Sequence, residues 1–412
     1  MKSMLEDGLR LLEPLSRIGV AGLNFKRLLT YLLTSVFNDY RVIMLDLNGE
    51  FSCVARIGGT RYYNAAGHSI NPVKPPCQDK VEQYVESLVE IVDYCFGVLN
   101  MKSIVTKALL DNISTSSETT IPEIASKLDF ENSEGGLSIY TPFEPFTFGS
   151  MRRVFGRREE LDFNDALESG TVFDFSGLST ASFKCFATLT VLNKLSSLEP
   201  KRRTIIVVTY PSIVWPKNRR RDNAQLYTEG VLLEELERKG YSMIIAEKNL
   251  LEVSERVMQG LDSIVFSPPS EVFNTEKTWR TSLKPEPVSS NYSAAMITRS
   301  GETMFFKTPA NIIMKPLDDE EREKRKPVLK SFNEQGILKD DLGEDYETGI
   351  KILERIRELG GKAGLNSLVE DVRTIAGAGG LRALATLLRQ GYLKQLHEEG
   401  EQYLVLSKGE WR

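Results

Sequence analysis

The sequence contains few of the residues that build metal sites and disulfide frameworks. Among its 412 residues are only two histidines, His68 and His397. The four cysteines are scattered, without a C-x-x-C pair, at Cys53, Cys77, Cys95 and Cys185. Because zinc sites need clusters of these side chains, we expect no metal site. The thiols are expected to be reduced and buried, as is usual in a cytoplasmic protein.

Long apolar runs are also missing. A membrane-spanning helix needs about 20 consecutive apolar residues, and no run approaches that length. The first residues, Met1–Asp7, lack the cationic and apolar sections of a signal peptide. We therefore expect a cytoplasmic protein with no membrane span. The net charge of −5 argues against nucleic-acid or membrane binding over the whole surface, although a local basic patch is compatible with it.

Short apolar runs alternate with helical patterns along most of the chain. Runs that predict strands lie within 41–51 and at 171–175, 204–209, 241–246 and 263–266. Helical patterns lie at about 80–112 and at 181–197 and 227–238. Strands that are apolar throughout are typical of a parallel sheet covered on both faces. The sequence predicts an α/β fold with a doubly wound, mainly parallel sheet, and an antiparallel finish over 291–307.

The C-terminal part has a different character. A dense mixed-charge run, 318–327, is best interpreted as a solvated helix or linker, with an interaction tail as the alternative. Three amphipathic helices follow at 346–359, 365–375 and 381–390, and then a hairpin at 392–396 and 402–406. This order predicts a winged helix. The predicted domains are a core over 1–315, a charged linker over 316–344 and a winged-helix domain over 345–412.

The stretch 17–33 has the outline of a phosphate-binding loop, with a short apolar strand, a glycine-bearing turn and a helix. Such a loop, G-x-x-x-x-G-K-[ST], holds phosphates with its backbone N–H groups and lysine, and Mg²⁺ with its hydroxyl. Counted from Gly19, the positions of the second glycine, the lysine and the Ser/Thr hold Asn24, Phe25 and Lys26. A frame with Lys26 as the phosphate lysine puts Phe25 at the second glycine and Arg27 at the metal ligand. Gly22 lies within the turn. In both frames the strand, turn and helix are present, but the residues that would bind phosphate and Mg²⁺ are missing.

Several phrases, in their order, resemble one family. Asp46-Leu-Asn-Gly-Glu-Phe51 is similar to a D-P-x-G-E-[YF] turn, and Ile70-Asn-Pro72 to an I-N-P turn. Leu167-Glu-Ser-Gly-Thr-Val-Phe-Asp-Phe-Ser-Gly-Leu178 is similar to a strand leading into D-[LF]-S-x-L, and Glu235-Leu-Glu-Arg-Lys-Gly-Tyr241 to an R-K-x-G segment. Together they resemble the HerA/FtsK branch of P-loop ATPases, over roughly 16–306. The resemblance implies a RecA-like P-loop NTPase core and a ring-forming, DNA-translocating relative.

The departures from this family fall on its catalytic positions. The family's second acidic motif, hhhhDE, would end in the two positions that hold Thr209 and Tyr210 here. Its sensor position holds Glu247. With the phosphate lysine, the metal hydroxyl, the metal acid and the general base all replaced, each means of stabilising charge in phosphoryl transfer is lost. The sequence therefore predicts a pseudo-ATPase with no catalytic residue and no cofactor.

Some of the family's charged positions are retained. Asp46 and Glu50 match its acids, and two readings stay open for them. Either they keep a nucleotide- or metal-facing role, or Asp46 caps a turn and Glu50 is a solvated loop residue. Arg238 and Lys239 match basic residues that the family places at a subunit interface. They are interpreted as a salt-bridged helix end or, beside an active paralogue, as trans-acting groups.

Basic residues are concentrated at a few places, which in an acidic protein is typical of local phosphate contacts. Solvated loops are the alternative. The loop after the altered acidic motif supplies Lys217, Arg219, Arg220 and Arg221, a second cluster supplies Arg152 and Arg153, and the predicted recognition helix supplies Arg382 and Arg389.

The sequence thus predicts a catalytically degenerate HerA/FtsK-like protein. It would act as a DNA-binding or assembly component with a DNA-translocating or DNA-processing partner. The expected assembly is a homo-oligomer or a hetero-oligomer, and an active HerA-like ATPase is a candidate partner in the second case. The first alternative is a divergent, active ATP-dependent translocase that uses Lys26, Asp46 and Glu50 with ATP and Mg²⁺. The second is a winged-helix transcriptional regulator.

Overall fold

A computed structural model describes most of the chain in two compact units. The described residues are 17–36, 40–65, 67–97, 102–115, 120–122, 124, 143–146, 149–157, 160–218, 222–266, 294–308, 312, 315–330, 342–389, 392–398 and 401–406. The larger unit holds those within 17–68, 72–115 and 161–328, and the smaller unit holds the others. Within these ranges no helix has the length and apolar character needed to cross a membrane.

The larger unit is built on a nine-stranded sheet. Its strands are β1 Arg17–Ala21, β2 Arg41–Asp46, β3 Arg61–Asn64, β5 Thr171–Asp174, β6 Thr204–Thr209, β7 Tyr241–Glu247, β8 Ser263–Phe266, β9 Ala294–Thr298 and β10 Thr303–Phe306. The short strands β4 Glu160–Leu161 and β11 Leu329–Lys330 lie outside this sheet. The order across the sheet is β10-β9-β8-β1-β7-β6-β2-β5-β3. Neighbours are parallel except along β10-β9-β8, where they are antiparallel. The predicted mainly parallel sheet with an antiparallel finish is confirmed.

The composition of β6 shows why these strands form. All six residues are buried, and four of them are isoleucine or valine, which pack well on a pleated surface. Ile205 and Val207 join an apolar cluster on one face, together with Leu28 and Leu29 of the first helix. Ile206 and Val208 are buried on the opposite face. Both faces of the sheet are therefore covered, as the unbroken apolar run predicts.

Helices flank the strands of this unit. Its α-helices are Phe25–Tyr31, Val81–Phe96, Lys102–Thr115, Phe163–Ser169, Ala181–Ser196, Pro211–Val214, Asn223–Leu226, Leu232–Arg238, Glu255–Gln259 and Asp319–Lys324, with π-helical turns at Leu32–Val36 and Tyr227–Val231. The single helix predicted over about 80–112 is two helices. The first ends because Gly97 adopts φ 74°, a left-handed conformation that closes helices.

The start of the predicted charged linker is attached to the larger unit. Asp318 and Glu321 form a capping box that begins the helix Asp319–Lys324. The Arg56 guanidinium binds both Glu321 oxygens, at 2.8 and 2.5 Å, and holds the pKa of that carboxyl down at about 2. The N–H of Tyr62 in β3 donates to the Arg325 carbonyl at 2.7 Å. Residues 315–328 are therefore part of this unit, where a linker was predicted.

The smaller unit has its own apolar core. Its helices are Gly149–Phe155, Tyr346–Glu358 and Leu365–Arg389, and its three-stranded antiparallel sheet has the order β12 Lys362–Gly364, β14 Glu401–Leu406, β13 Leu393–Glu398. The last helix is broken at Gly377, between the two helices that the sequence predicted there. The predicted hairpin is present as β13 and β14. The sequence did not predict β12, which is only three residues long.

Candidate functional site

Gly19, the first glycine of the predicted phosphate loop, lies in the middle of a strand. It pairs with Ile245 of β7 and Ile264 of β8. A Cβ at this position would lie 2.9 Å from side-chain atoms of both Leu250 and Leu261, so the small size of Gly19 serves packing. The frame that begins at Gly19 therefore does not form a loop.

The connection after β1 is short. Only Gly22, Leu23 and Asn24 separate Ala21, the end of β1, from the helix Phe25–Tyr31. The Gly22 N–H donates to the Lys248 carbonyl at 3.1 Å, and the Phe25 N–H donates to the Gly22 carbonyl at 3.0 Å. A phosphate loop is longer and turns successive N–H groups toward its ligand. The turn after β1 is therefore shorter than such a loop, and its Gly22 N–H is bound to a protein carbonyl.

Phe25 occupies the position of the phosphate lysine and is buried. Its ring centroid lies 6.2 Å from that of Phe51 and 5.6 Å from that of Tyr210, which it meets edge to face. We call Phe25, Phe51 and Tyr210 the aromatic cluster. Only 3% of Phe25 is exposed, so an apolar ring fills the place where the resemblance puts an ammonium group.

Lys26, next to Phe25, is paired with a carboxylate of the protein. Lys26 Nζ lies 2.5 Å from Glu50 Oε1, and the Tyr210 hydroxyl donates to Glu50 Oε2. Both Glu50 oxygens are therefore bound, while 33% of the side chain is exposed. Burial and the Glu50 carboxylate raise the pKa of Tyr210, which keeps its phenol protonated. Arg27 is half-buried beside them.

Asp46 ends β2 and is fully buried. Its Oδ1 accepts hydrogen bonds from the N–H groups of Asn48 (3.3 Å) and Gly49 (3.0 Å), and its Oδ2 accepts one from Phe51 (2.6 Å). These bonds close the turn that follows β2, as in the capping alternative. Burial outweighs them and raises the pKa of Asp46 from 3.8 to about 6.

Thr209 stands at the first position of the altered acidic motif and acts as a hydrogen-bonding bridge. Its hydroxyl donates to the Leu45 carbonyl at 3.3 Å, lies 3.4 Å from Asp46 Oδ1, and accepts from the Leu47 N–H at 3.1 Å. It therefore ties β6 to the end of β2. A hydroxyl with these partners supports the turn but carries no charge for a metal ion.

Glu247, at the sensor position, is bound to the turn after β6. Its Oε1 accepts from the Ser212 hydroxyl at 2.6 Å and its Oε2 from the Ser212 N–H at 3.0 Å. Burial raises the pKa of Glu247 above its ordinary value. The Tyr210 N–H donates to the Ala246 carbonyl at 2.9 Å, so the second altered position is held against the end of β7.

Sequence reasoning did not single out Asp174, which ends β5 beside this site. Its Oδ2 accepts from the Tyr62 hydroxyl at 2.5 Å and its Oδ1 from the Ser176 N–H at 2.9 Å. Its negative charge also contributes to the raised pKa of Asp46. Asp174 lies in the D-[LF]-S-x-L phrase, so the signal was present. The partner Tyr62, in a strand with polar ends, gave no such signal.

Arg238 and Lys239 lie elsewhere. They precede β7, whereas Glu247 ends it, so they are at the opposite edge of the sheet from the aromatic cluster. Lys239 Nζ lies 2.7 Å from Glu199 Oε1. Arg238 Nη2 lies 3.7 Å from Glu235 Oε1, with 72% of its side chain exposed. Both fit a salt-bridged helix end within one chain.

The structure describes only part of the predicted basic surface. Lys217 is exposed, but Trp215, two residues before it, is fully buried and cannot stack on a base. Arg219, Arg220 and Arg221 lie outside the described residues.

The remaining basic candidates belong to the smaller unit. Arg152 and Arg153 are half-buried in the helix Gly149–Phe155. Arg382 Nε and Nη2 bind the Asp345 carboxylate at 2.5 and 2.7 Å, and Arg389 ends its helix.

The described residues bring eight predicted site positions together at the carboxyl ends of β1, β2, β6 and β7: Gly22, Phe25, Lys26, Asp46, Glu50, Thr209, Tyr210 and Glu247. Within the same described part of the chain, no group of three or more His, Cys, Asp or Glu side chains could hold a metal ion. Asp46, Glu50 and Glu247 are bound to protein donors, and the Lys26 ammonium is bound to Glu50.

Comparisons with solved structures bear on the fold. VirB4 of Thermoanaerobacter pseudethanolicus superposes with a TM-score of 0.57 at 14% identity, over 72% of this chain and 90% of that chain. The genome packaging NTPase B204 from Sulfolobus turreted icosahedral virus 2, in complex with ATP-gammaS, matches at 11% identity over 72% of this chain and 98% of its own, with a TM-score of 0.35. No protein-family model and no curated protein matches the chain. The VirB4 likeness concerns the fold alone, and it agrees with the nine-stranded, mainly parallel α/β sheet.

Proposed function

We propose that the chain is a catalytically degenerate HerA/FtsK-like protein that acts as a DNA-binding or assembly component with a DNA-translocating or DNA-processing partner. The observation that carries this proposal is the burial of Phe25 in the aromatic cluster. A buried ring at that position supplies no charge to a β- or γ-phosphate, and it fills the space where a lysine side chain would begin.

The charges of the site support the same conclusion. Phosphoryl transfer needs positive charge around the transferred group, from lysine, arginine or Mg²⁺. Here the Lys26 ammonium is neutralised by Glu50 at 2.5 Å. Asp46, with a pKa of about 6, is mostly ionised at neutral pH. A nucleotide triphosphate would therefore meet a lysine that is already paired and a buried carboxylate that is mostly ionised, and both disfavour binding of an anion.

Nucleotide turnover tests this proposal. We expect no ATP hydrolysis above background, with or without duplex DNA, and no heat of binding for ATP and Mg²⁺. A steady rate near about 1 s⁻¹, in the ordinary range of enzymes, that is lost in Lys26→Ala and kept in Arg202→Ala would overturn it. That result would favour the alternative, an active translocase that uses Lys26, Asp46 and Glu50 with ATP and Mg²⁺.

The partner in this proposal is an active ATPase of the same fold, in a hetero-oligomer, with a homo-oligomer as the other arrangement. The support is the side chain of Arg238, which is 72% exposed and only loosely paired with Glu235. An exposed arginine at a subunit boundary could stabilise a neighbour's transition state. Arg238→Ala should then lower the partner's ATPase rate without releasing the partner in a pull-down, while Arg202→Ala should change neither.

We also propose that the smaller unit is a winged helix. Its support is the succession of helices Tyr346–Glu358 and Leu365–Arg389, broken at Gly377, followed by the β13–β14 hairpin. The ion pair between Arg382 and Asp345 favours contact with a protein over insertion into a DNA groove. DNA contact is instead proposed for the basic loop 217–221. A transcriptional regulator that binds DNA through its winged helix is therefore an alternative to the function proposed here.

A further inference from the structure

Two thiols from different helices lie next to each other in the larger unit. Cys95 is in the last turn of Val81–Phe96, and Cys185 is near the start of Ala181–Ser196. Their sulfur atoms are 3.6 Å apart, although the residues are 90 positions apart in the sequence. Neither cysteine is in a disulfide; Cys95 is half-buried and Cys185 is buried. A disulfide needs a sulfur–sulfur distance of about 2.05 Å, so a small movement of either side chain would bring them to bonding distance.

The surroundings hold this pair in place. Phe96, next to Cys95, lies 5.4 Å from Phe186 and 6.2 Å from Phe183, measured between ring centroids. Cys185 Sγ donates to the Val214 carbonyl at 3.6 Å, and the Tyr94 hydroxyl donates to the same carbonyl at 2.8 Å. Aromatic rings therefore pack beside the two cysteines. The Cys185 thiol also binds the end of the short helix Pro211–Val214, which begins directly after Tyr210.

We propose that Cys95 and Cys185 form an oxidisable dithiol, a modification site whose oxidant is a hydroperoxide. The more accessible Cys95 thiol attacks the peroxide, which gives a sulfenic acid and one water. The Cys185 thiol then attacks the Cys95 sulfur, forming the disulfide and releasing a second water. Two thiols lose two electrons and two protons in total, and one hydrogen peroxide is reduced to two waters.

Oxidation has a defined local consequence. The disulfide removes the S–H group of Cys185, so the Val214 carbonyl loses one of its two donors. It also joins the helices Val81–Phe96 and Ala181–Ser196 covalently. The crosslink restricts the unfolded chain over a long loop, so the melting temperature should rise on oxidation and return to its starting value on reduction.

Peptide mapping of the full-length chain tests the proposal. After treatment with hydrogen peroxide and alkylation of free thiols, the peptides that contain Cys95 and Cys185 should appear as one crosslinked species, lighter by two hydrogens and separated by dithiothreitol. Cys53→Ala and Cys77→Ala should leave the crosslink unchanged. Cys185→Ala should abolish it and leave a Cys95 sulfenic acid that a dimedone reagent traps.

Amide hydrogen exchange gives a second measurement. In the oxidised protein the peptides that cover 81–96 and 181–196 should exchange more slowly than in the reduced protein, because the disulfide joins these two helices. Recovery of both cysteines as alkylated thiols after peroxide treatment of the wild-type chain would overturn the proposal. So would crosslinks to Cys53 or Cys77 in place of the Cys95–Cys185 bond.

Discussion

The ring of Phe25 meets the ring of Tyr210 edge to face, with 5.6 Å between their centroids. One residue stands where the HerA/FtsK resemblance puts the phosphate lysine, and the other where it puts a carboxylate. The two positions that carry charge in a working site are therefore in direct apolar contact here. Edge-to-face aromatic pairs contribute about 0.5–1.5 kcal/mol beyond the burial of their surface. The two changes are physically coupled, since a lysine or a carboxylate at either position would lose its apolar partner.

The aromatic cluster should contribute measurably to stability. Phe25→Ala leaves a cavity beside Phe51 and Tyr210 and should lower the free energy of unfolding by about 3–5 kcal/mol. Leu23→Ala is the control, because that side chain is 57% exposed and should change the value by less than about 0.5 kcal/mol. Urea denaturation measures both. Similar losses in the two variants would contradict the packing described for Phe25.

Lys26 and Tyr210 should be energetically coupled through Glu50. Each binds a different oxygen of that carboxylate, so removing one group changes the environment of the other. In a double-mutant cycle with Lys26→Met and Tyr210→Phe, we expect a coupling energy of at least about 0.5 kcal/mol. The same cycle with the exposed Lys217→Met in place of Lys26→Met should give a value near zero. Additive effects in the first cycle would rule out the shared carboxylate.

Asp46 should make the protein less stable as the pH rises from about 4 to about 7. Its pKa is raised in the folded state, from 3.8 to about 6, so the folded protein holds the proton more tightly than the unfolded chain. The stabilisation is present below the unfolded value and is lost as the pH rises through the folded value. A difference of about two in pKa corresponds to about 3 kcal/mol.

Denaturant unfolding of Asp46→Asn at several pH values measures this contribution. The amide does not titrate. The free energy of unfolding of the variant, relative to that of the wild type, should therefore rise by about 2–3 kcal/mol between pH 4 and pH 7. Asp319→Asn changes a fully exposed carboxylate and should follow the wild type. If the wild type and Asp46→Asn differed by a constant amount at every pH, the raised pKa would be excluded.

Arg56 should protect the charged helix Asp319–Lys324 from proteases. Its guanidinium binds Glu321 and also the carbonyls of Lys315 and Pro316, at 2.5 and 3.0 Å. In Arg56→Ala these anchors are lost, and trypsin should cut faster after Arg322 and Lys324. Limited proteolysis followed by mass spectrometry identifies the sites. Arg202→Ala, a change at an exposed arginine, should leave the rate as in the wild type.

The basic loop should set the salt dependence of DNA binding. Each phosphate neutralised contributes about −0.9 to the slope of log K against log salt. Replacing Arg219, Arg220 and Arg221 together by alanine should therefore weaken binding to any duplex and flatten that slope by about two to three. Arg382→Ala should change it little, because Arg382 is already bound to Asp345. Equal slopes for the triple variant and the wild type would assign the loop to solvent or to a protein partner.

Strands with apolar runs could be predicted from the sequence, whereas strands that depend on distant partners could not. The bounds of β6 and β8 match the predicted runs, since such residues have few alternatives to a buried sheet. The strand β3, Arg61-Tyr-Tyr-Asn64, is polar at both ends and shows no such run. Its Tyr62 is held by Arg325 and Asp174, each more than one hundred positions away. No local pattern reports contacts of that range.

In the candidate site, too, some features could be predicted from the sequence and others could not. The positions at which the HerA/FtsK resemblance expects charged groups can be found in the sequence, because a motif fixes which positions to examine. How the replacements are accommodated is not visible. Tyr210 adopts φ 52°, which is uncommon for a bulky residue, and its hydroxyl reaches Glu50 across 160 positions. Both facts depend on the assembled ends of β2, β6 and β7.

The hydrogen bond from the Tyr62 N–H to the Arg325 carbonyl has a consequence for how copies of this protein could meet. β3 is the terminal strand of the sheet, and terminal strands with unused N–H groups are templates on which another chain can add a strand. At Tyr62 that donor is already taken by the protein's own charged segment. The pairing of another strand with β3 is blocked at this position, so a contact between copies at this edge of the sheet would depend on side chains.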